Sequence, residues 1–147
     1  MLTDLLISSN IKLKVKARDW QEAIKEGGAL LVSSGMAEER YIDAMIDAVN
    51  ELGPYIVLIP GVAMPHARPE AGVIKDGLSL ITLKEPVDFL DSENNPVSLV
   101  VCLAAASNNS HLDAIQNLAN FLDSPENIAA VTKADEIEQV LEIIKKY

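Results

Sequence analysis

The longest apolar stretch in this chain, Val97–Ala106, is too short to cross a bilayer, which takes roughly 20 residues, and fits a strand buried inside a sheet. A strand that is apolar on both sides needs cover on both faces, so the fold must sandwich its sheet between other elements. The rest of the sequence supplies those elements. Ile11-Lys12-Leu13-Lys14-Val15-Lys16 alternates strictly, as a strand with one buried face does. Asp19–Ser33 reads as a helix with Trp20, Ala23, Ile24 and Leu31 on one stripe and Gly35 just past its end. Gly27 and Gly28 weaken its propensity but let it approach a neighbour closely. Glu38–Leu52 reads as a second helix, with Tyr41, Ile42, Met45, Val49 and Leu52 inward and Gly53-Pro54 stopping it.

Further strands are expected at Tyr55–Ile59, as a short extended piece at Val62–Pro65, and at Leu78–Leu83. Between Leu83 and Val97, the segment Glu85–Pro96 is rich in turn residues and reads as a hairpin-like loop. The last third is helical. Ser110 with Asp113 resembles a capping box ahead of Leu112, Ile115, Leu118, Ala119 and Leu122 at helical spacing. Ser124-Pro125 places a cap before a first-turn proline. Thr132 with Asp135 repeats the capping pattern before Ile137, Val140, Leu141 and Ile144. Strands interleaved with helices predict an α/β fold: a three-layer α/β/α sandwich with a mixed, mainly parallel central sheet. No repeat or linker divides it, so residues 1–147 are read as one domain.

Composition narrows the function classes. Net charge is −10, from 12 basic and 22 acidic residues, a surface that repels nucleic acid and suits a partner with a basic face. Cys102 is the single cysteine and sits in the apolar run, so it reads as a buried, reduced thiol in a reducing compartment. An acid at Asp4 stands where a secretory segment would want a basic region. These features predict a cytoplasmic protein with no direct membrane insertion, reaching any membrane through a partner.

The candidate chemistry lies with two histidines. His66 is embedded in Pro60-Gly61-Val62-Ala63-Met64-Pro65-His66-Ala67-Arg68-Pro69, where three prolines and a glycine stiffen the backbone around the imidazole. Rigid presentation is what a nucleophile needs, although a stiff loop can carry a histidine without a role. His111 lies in Ser107-Asn108-Asn109-Ser110-His111-Leu112; with Ser110 as cap it falls in a first helical turn, where free N–H groups favour an anion. A polar loop before a helix also carries histidines for no special reason. Together the two suggest imidazole chemistry on an anionic group, with the helix start, the second imidazole and Arg68 donating to its oxygens. No P-loop, G-x-G-x-x-G, G-x-S-x-G or H-E-x-x-H is present. A zinc site from His66, His111 and Asp113 is conceivable, but nothing in the spacing asks for it.

Gly61-Val62-Ala63-Met64-Pro65-His66-Ala67 resembles the active-site segment of the mannitol/fructose-type IIA components of the bacterial phosphoenolpyruvate-dependent sugar phosphotransferase system. Ser110-His111-Leu112 with Leu118-Ala119 resembles that family's second histidine motif, and the order of elements fits from Leu5 to Ile144. Leu52-Gly53-Pro54-Tyr55-Ile56-Val57, leading into the His66 segment, looks most like the ascorbate-type branch. The resemblance implies a phosphocarrier. His66 would accept a phosphoryl group from the small carrier HPr and pass it to a cysteine of a IIB partner, which serves a membrane IIC protein. His111 would orient His66 or bind the phosphoryl oxygens, and no metal or organic cofactor is implied.

One departure concerns charge. Mannitol-type members carry an arginine sixteen residues before the active histidine, and Asn50 stands there in this chain. Arg68 is a candidate to share that role, with a solvent-facing arginine as the equal alternative, and Ser110 is a further phosphoryl-binding candidate. A different class of function fits the same residues: a regulatory or binding module switched by phosphorylation of His66. The transported sugar (ascorbate, a related sugar acid or a pentitol), the phosphorylated ring nitrogen and the oligomeric state, a homodimer included, stay open at this point.

Overall fold

The computed structural model describes residues 1–147 and builds around a four-stranded sheet in the order β1-β3-β4-β2. β1 is Ile11–Val15, β2 Val62–Ala63, β3 Gly77–Val87 and β4 Val97–Ala104. β1 pairs with β3 and β2 with β4 in parallel, while β3 and β4 form an antiparallel hairpin, so two of the three pairings are parallel. The sheet is mixed and mainly parallel, as predicted. β3 runs on to Val87, which shortens the loop expected from Glu85.

β4 shows why the sheet must be sandwiched. Its alternate residues Val100, Cys102 and Ala104 join one core of 21 buried residues, and Leu99, Val101 and Leu103 join another of 19, so the two cores are nearly equal. The first lies under α2 (Trp20–Ser33) and α3 (Arg40–Leu52). The second lies under α1 (Leu2–Leu5), α4 (Asn108–Leu122), α5 (Pro125–Lys133) and α6 (Ile137–Ile144). Asp19 caps α2 by accepting the Glu22 N–H, and Ser124 caps α5 by accepting that of Asn127. No helix is long and apolar enough to cross a membrane.

Several local expectations change. Tyr55–Ile59 is not a strand. Gly53 adopts φ 83°, and the segment folds as a turn whose carbonyls bond to the Met64 N–H and the Asn94 side chain. Its apolar residues Ile56 and Val57 are buried from that turn instead of from a sheet. α4 is capped by Ser107, three residues earlier than expected, and the box partner at its third position is Ser110. Its buried face is therefore Ala114, Leu118, Phe121 and Leu122, which leaves Leu112 64% exposed and Ala119 outward. Thr132 lies inside α5 and bonds back to the Ile128 carbonyl, while Gln139 accepts the Glu136 N–H that starts α6. Leu52, expected inward, is 67% exposed at the end of α3.

Candidate active site

Because β2 and β4 are parallel, both end on the same side of the sheet, the position where open α/β sheets gather their functional loops. His66 follows β2 by three residues, and the N-terminus of α4 follows β4 after Ala105-Ala106-Ser107. This brings together two residues that are far apart in sequence: the rings of His66 and His111 have centroids 5.2 Å apart. The Tyr55 and His66 rings stand nearly perpendicular, with centroids 5.7 Å apart. The result is an open cleft of about 790 Å³ lined by both histidines and Tyr55.

His66 is held by its own backbone neighbourhood. Its Nδ1 lies 2.8 Å from the Met64 carbonyl oxygen, which can only accept, so Nδ1 carries the proton and Nε2 keeps its lone pair. Burial pushes the His66 pKa below the ordinary 6.5, and His111 adds to this; the bond to Met64 acts in the opposite direction. The imidazole is therefore neutral, and nucleophilic at one nitrogen.

The segment itself is fastened on both sides of His66. Leu103 of β4 donates its N–H to the Pro65 carbonyl at 2.9 Å. The Tyr41 hydroxyl, from α3, accepts the Ala67 N–H at 3.0 Å and donates to the Leu103 carbonyl at 2.6 Å. Tyr41 is 1% exposed, and burial raises its phenol pKa, so the hydroxyl keeps its proton.

At the start of α4, Ser107 Oγ takes the Ser110 N–H at 3.1 Å, and the Ser107 carbonyl takes that of His111 at 3.0 Å. The N–H groups of Asn108 and Asn109 are left without a partner, and Asn108 lines the cleft. Ser110 serves the capping box and faces a neighbouring recess with Asp76 and Asp113. Arg68 lines the cleft with its guanidinium unpaired, and the only other charged residues there are Asp47, Glu51 and Glu70. Asn50 is exposed on α3 and is not part of the lining, so α3 brings no cation to the cleft. No three His, Cys, Asp or Glu side chains are grouped to hold a metal, and the set His66, His111 and Asp113 is not brought together.

Residues 4–147 match the phosphoenolpyruvate-dependent sugar phosphotransferase system EIIA 2 family. The chain belongs to this family. Among EIIA relatives, the ascorbate-specific component of Escherichia coli K12 is 40% identical over 140 residues, covering 95% of this chain and 91% of that one. The solution structure of the mannitol-specific cryptic phosphotransferase enzyme IIA CmtB from Escherichia coli superposes with a TM-score of 0.90 at 39% identity, covering 99% of both chains. The mannitol enzyme IIA of Escherichia coli, solved in complex with phosphorylated enzyme IIB, gives a TM-score of 0.84 at 33% identity, covering 95% of this chain and 96% of that one. The three-layer fold is thus the one these EIIA proteins share.

The sequence pointed to His66 and His111 and missed Tyr41 and Tyr55 as site residues. The helical pattern puts Tyr41 on the buried stripe, and a buried tyrosine needs a partner for its hydroxyl; that is the available signal. Tyr55 has the composition of a strand around it, which hides its place beside His66.

Proposed function

We propose that the protein is a cytoplasmic phosphocarrier that takes a phosphoryl group from phospho-HPr on Nε2 of His66 and delivers it to a cysteine of a IIB partner. The observation that carries this reading is the contact between Nδ1 and the Met64 carbonyl, which leaves Nε2 as the nitrogen with a free lone pair. In the forward step the N–P bond to Nε2 forms as the donor's N–P bond breaks. Nδ1 keeps its proton throughout, and the Met64 carbonyl offsets the positive charge that develops on the ring. His111, the Asn108 and Asn109 N–H groups and Arg68 supply donors for the phosphoryl oxygens. Ser110 contributes through the cap that fixes where those N–H groups lie.

A IIB partner is supported by the complex formed by the mannitol enzyme IIA, and the membrane IIC protein is then reached only through IIB. For the sugar, the reading is ascorbate or a related sugar acid or pentitol; the 40% identity to an ascorbate-specific component supports ascorbate, and the 39% identity to a mannitol-specific one keeps a polyol in play. The test is phosphorylation of the purified protein by phosphoenolpyruvate, enzyme I and HPr. The expected product is an acid-labile, base-stable label that His66→Ala abolishes; full labelling of that variant overturns the proposal. In the same assay His111→Ala should slow transfer on the order of 10²-fold with an unchanged circular dichroism spectrum. Arg68→Ala should also slow it, and an unchanged rate would remove Arg68 from the site.

A further inference from the structure

The parallel pairing of β2 and β4 keeps one register: Val62 lies opposite Leu99 and Ala63 opposite Val100. Continued in that register, the pairing sets His66 opposite Leu103. A regular parallel rung at this point would exchange two bonds with Leu103, its N–H to the Pro65 carbonyl and its carbonyl from the Ala67 N–H. The first bond is present at 2.9 Å. In place of the second stands the Tyr41 hydroxyl, which accepts from Ala67 at 3.0 Å and donates to Leu103 at 2.6 Å.

We infer that Tyr41 is a positioning residue for His66: its hydroxyl is inserted into the β2–β4 rung between Ala67 and Leu103, prises the chain away from the sheet just after His66 and fixes where the imidazole stands. The inference rests on His66 as the phosphoryl acceptor. The Tyr41 hydroxyl has one proton and two carbonyls near it, Leu103 at 2.6 Å and Ala67 at 3.3 Å, and the shorter contact takes it. Its lone pair is then free for the Ala67 N–H, so both backbone groups are satisfied through one side-chain oxygen. A hydroxyl inserted between donor and acceptor widens the rung by roughly 2 Å relative to a direct N–H···O bond. Without it, the Ala67 N–H would either close directly onto Leu103, drawing His66 toward the sheet edge, or lose its protein partner and turn toward the cleft. Either result moves the imidazole away from its present geometry with Met64 and His111.

Tyr41→Phe tests this, because it keeps the ring in the core and removes the hydroxyl alone. Phosphorylation by phospho-HPr should slow by about 10-fold or more, since a misplacement of about 1 Å costs up to ~10²-fold. In the unphosphorylated variant, the imidazole ¹⁵N signals of His66 should leave the single Nδ1–H tautomer for a mixture. Placing 4-aminophenylalanine at position 41, which again donates and accepts there, should restore most of the rate. A wild-type rate in Tyr41→Phe overturns the inference. So does a slowed rate with an unchanged His66 spectrum, which would mark general loosening. Should Tyr41→Phe not fold, the wild-type protein decides: its Tyr41 hydroxyl proton should exchange slowly and show a nuclear Overhauser contact to the Ala67 amide, and absence of that contact overturns the inference. Labelling of His66→Ala would instead overturn the phosphocarrier reading, and leaves the ¹⁵N result standing on its own.

Discussion

An imidazole that is to bond phosphorus must be uncharged and must offer a defined nitrogen. Burial lowers the His66 pKa and the Met64 carbonyl engages Nδ1, so the proposed acceptor role finds an uncharged ring with Nε2 open. The sign of the stability effect follows from the direction of that shift. The folded chain resists protonation that the unfolded chain accepts near the ordinary 6.5, so His66 adds no pH dependence above that value. Below it the unfolded state binds the extra proton, and stability falls until the folded pKa is passed. Thermal unfolding of wild type against His66→Gln should therefore run parallel above about pH 7 and diverge as pH falls below 6.5, with wild type losing more. The phosphorylation rate should likewise persist to lower pH than for a free imidazole. At this scale the sequence singles out His66 by its proline-stiffened segment and His111 only by its place at a helix start, and the fold brings the two rings together. Tyr41 and Tyr55 were not, because α3 and the turn after it meet His66 only through folding. Which atoms a buried hydroxyl finds is a tertiary fact.

Among the elements, α2 crosses the sheet at Gly27, and the reason for glycine there is contact. A Cβ on Gly27 would lie 2.7 Å from Cys102 Sγ, and the Gly27 carbonyl accepts a bond from the buried Ser79 hydroxyl at 2.7 Å. Gly27→Ala should overpack this crossing and destabilise the fold by about 1–3 kcal/mol, read as a lowered midpoint in denaturant with an unchanged slope. The pair of glycines was visible in the sequence as a weakness in a helix that also permits close approach, and Cys102 supplies the approach. The start of α4 was read one turn late. Ser107 and Ser110 both suit a cap, and with Ser110 as cap, Asp113 completes a plausible box; the chain instead closes the box with Ser110 itself. That shift decides which N–H groups remain free, and so it matters to the chemistry as well as to the helix. Tyr55–Ile59 misled for a different reason: its composition suits a strand, but the left-handed Gly53 and Pro54 before it turn the chain out of the sheet.

At the scale of the whole molecule, the charge around the cleft has the same sign as the net charge of −10. Asp47, Glu51 and Glu70 border the cleft against the lone cation Arg68, so the mouth of the site continues the acidic field of the surface. A basic phosphoryl donor would be steered toward it, and salt would screen that steering. The second-order rate of transfer from phospho-HPr should fall as ionic strength rises, and Glu51→Lys should both slow transfer and flatten the salt dependence. Equal salt slopes for the two proteins would argue against steering through this rim. The three-layer architecture was the most legible feature of all, since strands interleave with helices along the chain and one strand is apolar on both sides. The same architecture divides the candidate site among its layers: His66 stands at the end of the sheet, His111 on a helix of one layer and Tyr41 on a helix of the other. No two layers contain the whole of it. On the proposed function, a chain still folding, or one with a single layer lifted away, would offer a donor no complete site, so labelling would also report that the molecule has finished assembling itself.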